Sequence, residues 1–314
     1  MNTFVFFYHS ERSGYAKKLL KVIFALDLME DFDKFVFRDP SQPDRLSSER
    51  IVYKKGNGPG VILMHELPGM IPECVDLARR LAEANFTVYL PLLFGEPNSQ
   101  LSVPKILQYV AQLCISKEFY LLAKNQSSPI ADWLKALCRQ AKVECGGNGV
   151  GVIGMCLTGG FVLSLMADDS VIGAVASQPS LPLRISQDRK ESLGVSPQDL
   201  AAAKNRAENG ARILALRFSE DATSPPEKFI RLQQEFGQTT ETLEDSNQLC
   251  WKQNRFLETI EINSKANNPY QIPSSSHAVL TLGYDRDPKH PTNRVFCRVV
   301  KFLKEQFSLD LDNK

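Results

Sequence analysis

The sequence predicts an α/β fold built on a mostly parallel central sheet with helices on both faces. Two observations carry this prediction. From about residue 50, short apolar runs alternate with helical patterns, and the runs are continuously apolar, as strands covered on both sides must be. The chain has 314 residues, 43% of them hydrophobic and 23% charged. That length suits one large domain or two small ones and supplies a sizeable core.

Residues 1–48 hold no clear strand and read as an N-terminal extension to a domain spanning 49–314. Within the extension, "YAKKLLKVIFALDLMEDF" sets lysines before a short apolar run, in outline like a signal peptide. Asp27 interrupts the run, acidic residues follow, and no small-residue cleavage site is evident, so an amphipathic helix packed on the domain is expected. No uninterrupted apolar segment approaches the length needed to span a bilayer, and the expected location is cytoplasmic. "GVILMHE" (60–66) reads as a buried strand and "IPECVDLARRLAEANF" (71–86) as an amphipathic helix. "TVYLPLLFG" (87–95), "GVGVIGM" (149–155), "VIGAVASQP" (171–179) and "ARILALRFSE" (211–220) read as further strands. In "TSPPEKFIRLQQEFG", Ser224 is the expected N-cap, Pro225 the first helical residue, Glu227 the partner in a capping box and Gly237 the stop. Residues 98–145 are polar and helix-like, and 238–270 are rich in Glu, Thr, Asn and Gln; both read as insertions over the one sheet.

Composition removes several functional classes. Lysine plus arginine total 37 against 36 acidic residues, with no run of like charge, so nucleic acid is not an expected partner and neither is an anionic membrane. Seven cysteines form no CxxC pair and no regular framework, which fits a reducing compartment. Only four histidines exist and none has zinc-ligand spacing with a cysteine pair. "HEL" at His65 begins like a zincin motif, but Pro68 and Gly69 stand where a helix should follow. No metal is expected.

The stretch "GVGVIGMCLTGGFVLSLMA" (149–167) places Cys156 where an apolar strand turns into a helix. A nucleophile at such a bend is the elbow of α/β-hydrolases. The turn strains the backbone, so residues two away must be small; Gly154 precedes Cys156 at that distance, and Thr158 stands at the other side with Gly159 and Gly160 after it. The following helix start also favours a thiolate. On the local sequence alone, Cys156 is either this nucleophile or a buried small hydrophobe.

Chain order adds two residues. In this fold the orienting acid follows a later strand and the base lies near the C-terminus. Asp221, in "RFSEDATSPPE", directly follows a strand and precedes a helix, with Glu220 as its local rival. His277, in "PSSSHAVLTLG", lies in a polar loop before the C-terminal helix "TNRVFCRVVKFLKEQF". His9 is outside the domain, His65 belongs to a strand and His290 to the start of the last helix, which leaves His277 as the base.

From about Arg50 to Phe307 the chain resembles the dienelactone hydrolase family of α/β-hydrolases, whose nucleophile is a cysteine in a G-x-C-x-G-G type elbow. "VILMHELPGM", "DLARRLAEANFTVYLPLLFGEP", "GVIGMCLTGGF", the aspartate of "FSEDATSPPE" and the histidine of "SSSHAVL" carry the likeness. The resemblance implies that Glu66 contacts the resting thiol and tunes it, as a carboxylate near a thiol raises its pKa; capping the helix near Pro72 is its other possible role. It also implies an oxyanion hole from the backbone N–H groups of Leu67 and Leu157. Members that cleave dienelactone carry an arginine four residues after the histidine, where Thr281 stands here, so the resemblance implies hydrolase chemistry more than that substrate.

The expected function is hydrolysis of a small-molecule carboxylic ester or lactone through a Cys156–His277–Asp221 triad and an acyl-enzyme, without a cofactor. Acyl transfer to an acceptor other than water would use the same residues. A second reading is a non-catalytic binding or regulatory protein on this scaffold, suggested by Thr158 and by the missing arginine.

Overall fold

A computed structural model describes residues 28–41, 49–97, 128–180, 191–238, 241–245 and 248–309. Ten strands form one mixed sheet: β1 (Asp33–Arg38), β2 (Glu49–Lys55), β3 (Gly60–Met64), β4 (Thr87–Pro91), β5 (Val150–Met155), β6 (Val171–Ser177), β7 (Arg212–Phe218), β8 (Glu241–Asp245), β9 (Leu249–Gln253) and β10 (Leu257–Ile262). Their order is β1-β2-β4-β3-β5-β6-β7-β10-β9-β8. The central six, β3 to β7 and β10, run parallel, with antiparallel pairs at both edges.

Among the described residues six helices cover the sheet: α1 (Pro72–Glu83), α2 (Pro129–Cys145), α3 (Val162–Met166), α4 (Pro197–Glu208), α5 (Pro226–Phe236) and α6 (Pro291–Leu309). Alternation along the strands divides the core in two. Val61 and Leu63 of β3 face α1 and α6, while Ile62 and Met64 face the side of α2 to α5. All four are fully buried, each contributing about 1.5–3 kcal/mol of burial. The α/β fold expected from the alternation is the one observed.

Several expectations on the elements need correction. The segment 1–48 does contain a strand: β1 pairs antiparallel with β2 at the sheet edge. Its pattern was masked because Val36, 61% exposed, breaks the apolar alternation of Phe35 and Phe37. The amphipathic helix expected over 15–32 lies outside the described residues as far as 27, and Leu28–Asp31 form a turn. Of the segment 98–145, residues 98–127 lie outside the described residues, and the rest is α2, a regular layer helix that buries Trp133, Leu134 and Leu137. The segment 238–270 extends the sheet by three strands, and β10 is a parallel neighbour of β7.

The start of α5 shifts as well. Pro225 is extended (φ −73°, ψ 155°) and forms the N-cap, and the helix begins at Pro226. A residue before proline is excluded from the helical region, so Pro225 cannot open the helix. Ser224 is left outside, its hydroxyl buried without a hydrogen-bond partner.

The connection from β10 to α6 carries His277, and both its ends are fastened together. Arg298 of α6 grips Glu258 of β10 with two hydrogen bonds, Nε to Oε1 at 2.7 Å and Nη2 to Oε2 at 2.6 Å, and Glu258 is fully buried. Replacing Arg298 by Met is expected to destabilise the fold by about 3 kcal/mol, because it leaves a buried carboxylate without its main partner. Arg212, 3.8 Å from Glu258, keeps the loss from being larger. Urea denaturation of the two proteins measures the difference.

Candidate active site

Every candidate residue lies just beyond the C-terminal end of a parallel strand, where loops of this architecture converge. Glu66 follows β3, Cys156 follows β5, Asp221 follows β7 and His277 follows β10.

The position of Cys156 is set by backbone geometry. Cys156 has φ +52°, a left-handed conformation that a side chain adopts only under constraint. It stands between β5 and a 3₁₀ turn, Cys156–Phe161, that runs into α3. A Cβ on Gly154 would lie 2.5 Å from the carbonyl oxygen of Thr158, so glycine is required there. On the other side the close approach falls at Gly159, where a Cβ would lie 2.9 Å from Cα of Pro179. Thr158 instead uses its hydroxyl. Its Oγ1 accepts from the backbone N–H of Met155 (2.9 Å), donates to Met155 O (2.9 Å) and lies 3.1 Å from Met64 O, tying the elbow to β3. The departure from glycine at 158 is therefore a stabilising feature of this turn.

Asp221 and His277 meet directly. His277 Nδ1–H donates to Asp221 Oδ2 at 2.7 Å, while Oδ1 accepts from the backbone N–H groups of Thr223 (2.8 Å) and Ser224 (3.2 Å). Asp221 is buried and Glu220 exposed, which decides between the two acids. Arg217 of β7 holds the acid loop from beneath, donating to the carbonyls of Ser224, Ser219 and Asp221. His277 Nε2, the ring nitrogen not used by Asp221, is buried and makes no hydrogen bond. A ring nitrogen of His277, Sγ of Cys156 and a carboxylate oxygen of Glu66 all lie within 4.8 Å of one another.

Glu66 is buried beside the thiol but its hydrogen bonds go elsewhere. Thr281 Oγ1 donates to Oε1, and Gln178 Nε2 donates to Oε2 at 3.2 Å. Burial raises its pKa, more than the Thr281 hydrogen bond, the nearby His277 charge and Gln178 lower it. Glu66 does not cap α1, whose N-cap is Ile71 without a side-chain cap. His65 braces the glutamate loop. Its Nε2 accepts from Leu93 N–H at 3.0 Å, so Nδ1 carries the proton toward Glu66 O at 3.2 Å. Burial outweighs the latter contact and lowers its pKa to about 4. Leu67 and Leu157 directly follow Glu66 and Cys156.

Sequence reasoning missed Gln178 and Ser180, which follow β6 and contact Glu66, Cys156 and the backbone beside His277. Ser180 Oγ is 3.3 Å from Cys156 Sγ, and its backbone N–H donates to Cys156 O at 2.9 Å. Gln178 is fully buried with φ +36°; beyond Glu66 it accepts from the backbone N–H of Val279 at 3.3 Å, close to His277. No motif signals these residues, since their partners lie on distant loops. Thr281 also sits inside the site, on Glu66, whereas Arg286 is 76% exposed and pairs with Asp76. Leu67, Phe94, Leu193 and Cys156 are partly buried against the same apolar cluster.

The model of the dienelactone hydrolase family matches residues 49–240, a span that contains Glu66, Cys156 and Asp221 and ends before His277. No curated protein sequence matches the chain significantly. Among solved structures, one named m3DLH is 15% identical with a TM-score of 0.52, covering 88% of this chain and 99% of its own. Est1E from Butyrivibrio proteoclasticus is 12% identical with a TM-score of 0.51 over 88% and 99%. A dienelactone hydrolase-like promiscuous phosphotriesterase from metagenomic libraries is 15% identical with a TM-score of 0.50 over 87% and 99%. At these identities the likeness establishes the α/β-hydrolase fold.

The His277 ring carries a raised pKa. Burial opposes its charge, but the Asp221 carboxylate and the Cys156 sulfur outweigh burial and lift it to about 10. A raised value means the charged ring stabilises the fold fully below 6.5, its ordinary value, and that this contribution fades as pH rises through about 10. An NMR titration of the ring is expected to show a midpoint near 10 that falls in Asp221→Asn. A midpoint at the ordinary histidine value in the unsubstituted protein would contradict this.

Proposed function

Because the chain belongs to the dienelactone hydrolase family, whose members are ester hydrolases, we propose that it cleaves carboxylic esters or lactones with Cys156 as nucleophile. The single observation that carries this reading is the left-handed Cys156 at the elbow, with Nε2 of an Asp221-held His277 unpaired on the side of the thiol. A buried structural cysteine needs neither feature.

In the proposed reaction the sulfur adds to the substrate carbonyl as thiolate while its proton is held on His277 Nε2, a charge state that the raised pKa of the ring favours. Asp221 keeps Nδ1 protonated and stabilises the imidazolium that results. The backbone N–H groups of Leu67 and Leu157 take the oxyanion; a donor of this kind contributes about 3 kcal/mol to an acyl-transfer transition state. His277 returns its proton to the leaving alcohol. Water, deprotonated by the same ring, then attacks the thioester and releases the acid and the free thiol. No metal or organic cofactor enters these steps. Among the described residues no helix is long and apolar enough to cross a membrane; the proposed setting is the cytoplasm.

Glu66 is proposed to tune the thiol through space, its negative charge opposing thiolate formation until substrate disturbs the site. The purely binding reading has less support, since a binding scaffold would not require the strained cysteine or the bonded Asp221–His277 pair.

Turnover of small aryl esters is expected to fall at least ~1,000-fold in Cys156→Ala and in His277→Ala. Retention of the parent rate by Cys156→Ala would sink the nucleophile assignment. Iodoacetamide is expected to alkylate Cys156 ahead of the other thiols, and Glu66→Gln to speed that alkylation by about tenfold. An unchanged alkylation rate in Glu66→Gln would remove the tuning role.

A further inference from the structure

We propose that Glu66, Cys156 and His277 also form a binding site for a divalent transition-metal ion of the zinc class, and that the bound ion switches the hydrolase off. The inhibitory consequence rests on the hydrolase reading above; the metal site itself rests on geometry.

Among the described residues these three form the one group of His, Cys, Asp or Glu side chains whose ligand atoms all lie within 4.8 Å of one another. Zinc bonds to such atoms are about 2.0–2.3 Å long, which spaces tetrahedral ligands roughly 3.3–3.8 Å apart. A contraction of about 1 Å closes the site, well within side-chain adjustment on loops. One sulfur, one imidazole nitrogen and one carboxylate oxygen are donors that suit zinc; magnesium and calcium demand oxygen throughout. Three protein ligands with the fourth position open to solvent is the pattern of an accessible zinc site.

The surroundings of each ligand fit as well. Metal-bound histidine characteristically donates its other ring N–H to a carboxylate, and His277 Nδ1 already donates to Asp221 Oδ2 at 2.7 Å. His277 Nε2 is buried with no hydrogen bond to give up. Glu66 is oriented by Thr281 on one oxygen and Gln178 on the other, and each oxygen retains a second lone pair for the ion. The His277 side chain is 24% exposed although Nε2 itself is buried, so entry of the ion requires the ring to shift. Binding forms metal–sulfur, metal–nitrogen and metal–oxygen bonds and sends to solvent the one proton that the thiol or the imidazole carried. Nothing is oxidised or reduced. The ion then occupies both the nucleophile and the base, so turnover stops until it leaves.

Cobalt(II) added to the full chain tests the site without relying on activity. Expected is a thiolate-to-cobalt charge-transfer band in the near ultraviolet, absent in Cys156→Ser, with affinity at least ~10-fold weaker in Glu66→Gln and in Asp221→Asn. Circular dichroism shows whether each variant is folded. A band that persists in Cys156→Ser, or an affinity unchanged in folded Glu66→Gln, overturns the proposal. Zinc is then added to the esterase assay and removed with EDTA. Reversible loss of turnover supports the switch, while turnover indifferent to zinc overturns it. A cobalt band at these residues in a protein with no esterase activity would refute the hydrolase reading and leave the metal site standing.

Discussion

The left-handed backbone at Cys156 is the constraint on which the rest of the site depends. Such a conformation costs a non-glycine residue about 1–3 kcal/mol, and the surrounding structure must hold it. Three contacts do so. Gly154 lets the chain fold back over its own strand, Gly159 lets the turn press against Pro179, and Ser180 N–H bonds the Cys156 carbonyl. The Thr158 hydroxyl joins the same turn to the end of β3. The strain therefore projects the thiol from the sheet toward the loops that carry the other groups.

Those loops arrive together because six parallel strands end on one side of the sheet. Each is held by a residue that itself takes no chemical part. His65 braces the glutamate loop against Leu93, and Arg217 gathers three carbonyls of the aspartate loop. Glu258 and Arg298 fasten the two ends of the histidine connection across the sheet. Gln178 bridges Glu66 and the backbone beside His277. The groups at the centre are thus supported by buried polar contacts from β6, β7 and β10, and rigid placement of that kind is what acyl-transfer geometry and metal ligation both need.

Much of this was legible beforehand, and the legible parts share a cause. Apolar runs marked the buried strands β3 to β7 because strands covered on both faces tolerate little else. Cys156 was marked by the small residues its strained turn requires, and Asp221 and His277 by their order after later strands. Edge strands were not legible. β1 exposes Val36, and β8 and β9 sit in a polar stretch that resembled an insertion, because an edge needs only one apolar face. The zinc-type trio was invisible for a related reason: spacing along the chain finds ligands on one turn or helix, whereas these three come from separate loops.

By itself the sequence determined the fold class and pointed to the elbow, Asp221 and His277, since each depends on local residue size, apolar pattern or chain order. Only the tertiary structure decided that Thr281 and Gln178 hold Glu66, that Ser180 touches the thiol, and that a threonine at 158 strengthens the turn. Hydrogen bonds between loops far apart in sequence depend on where the sheet brings their ends, and that position is written in no short stretch of the chain.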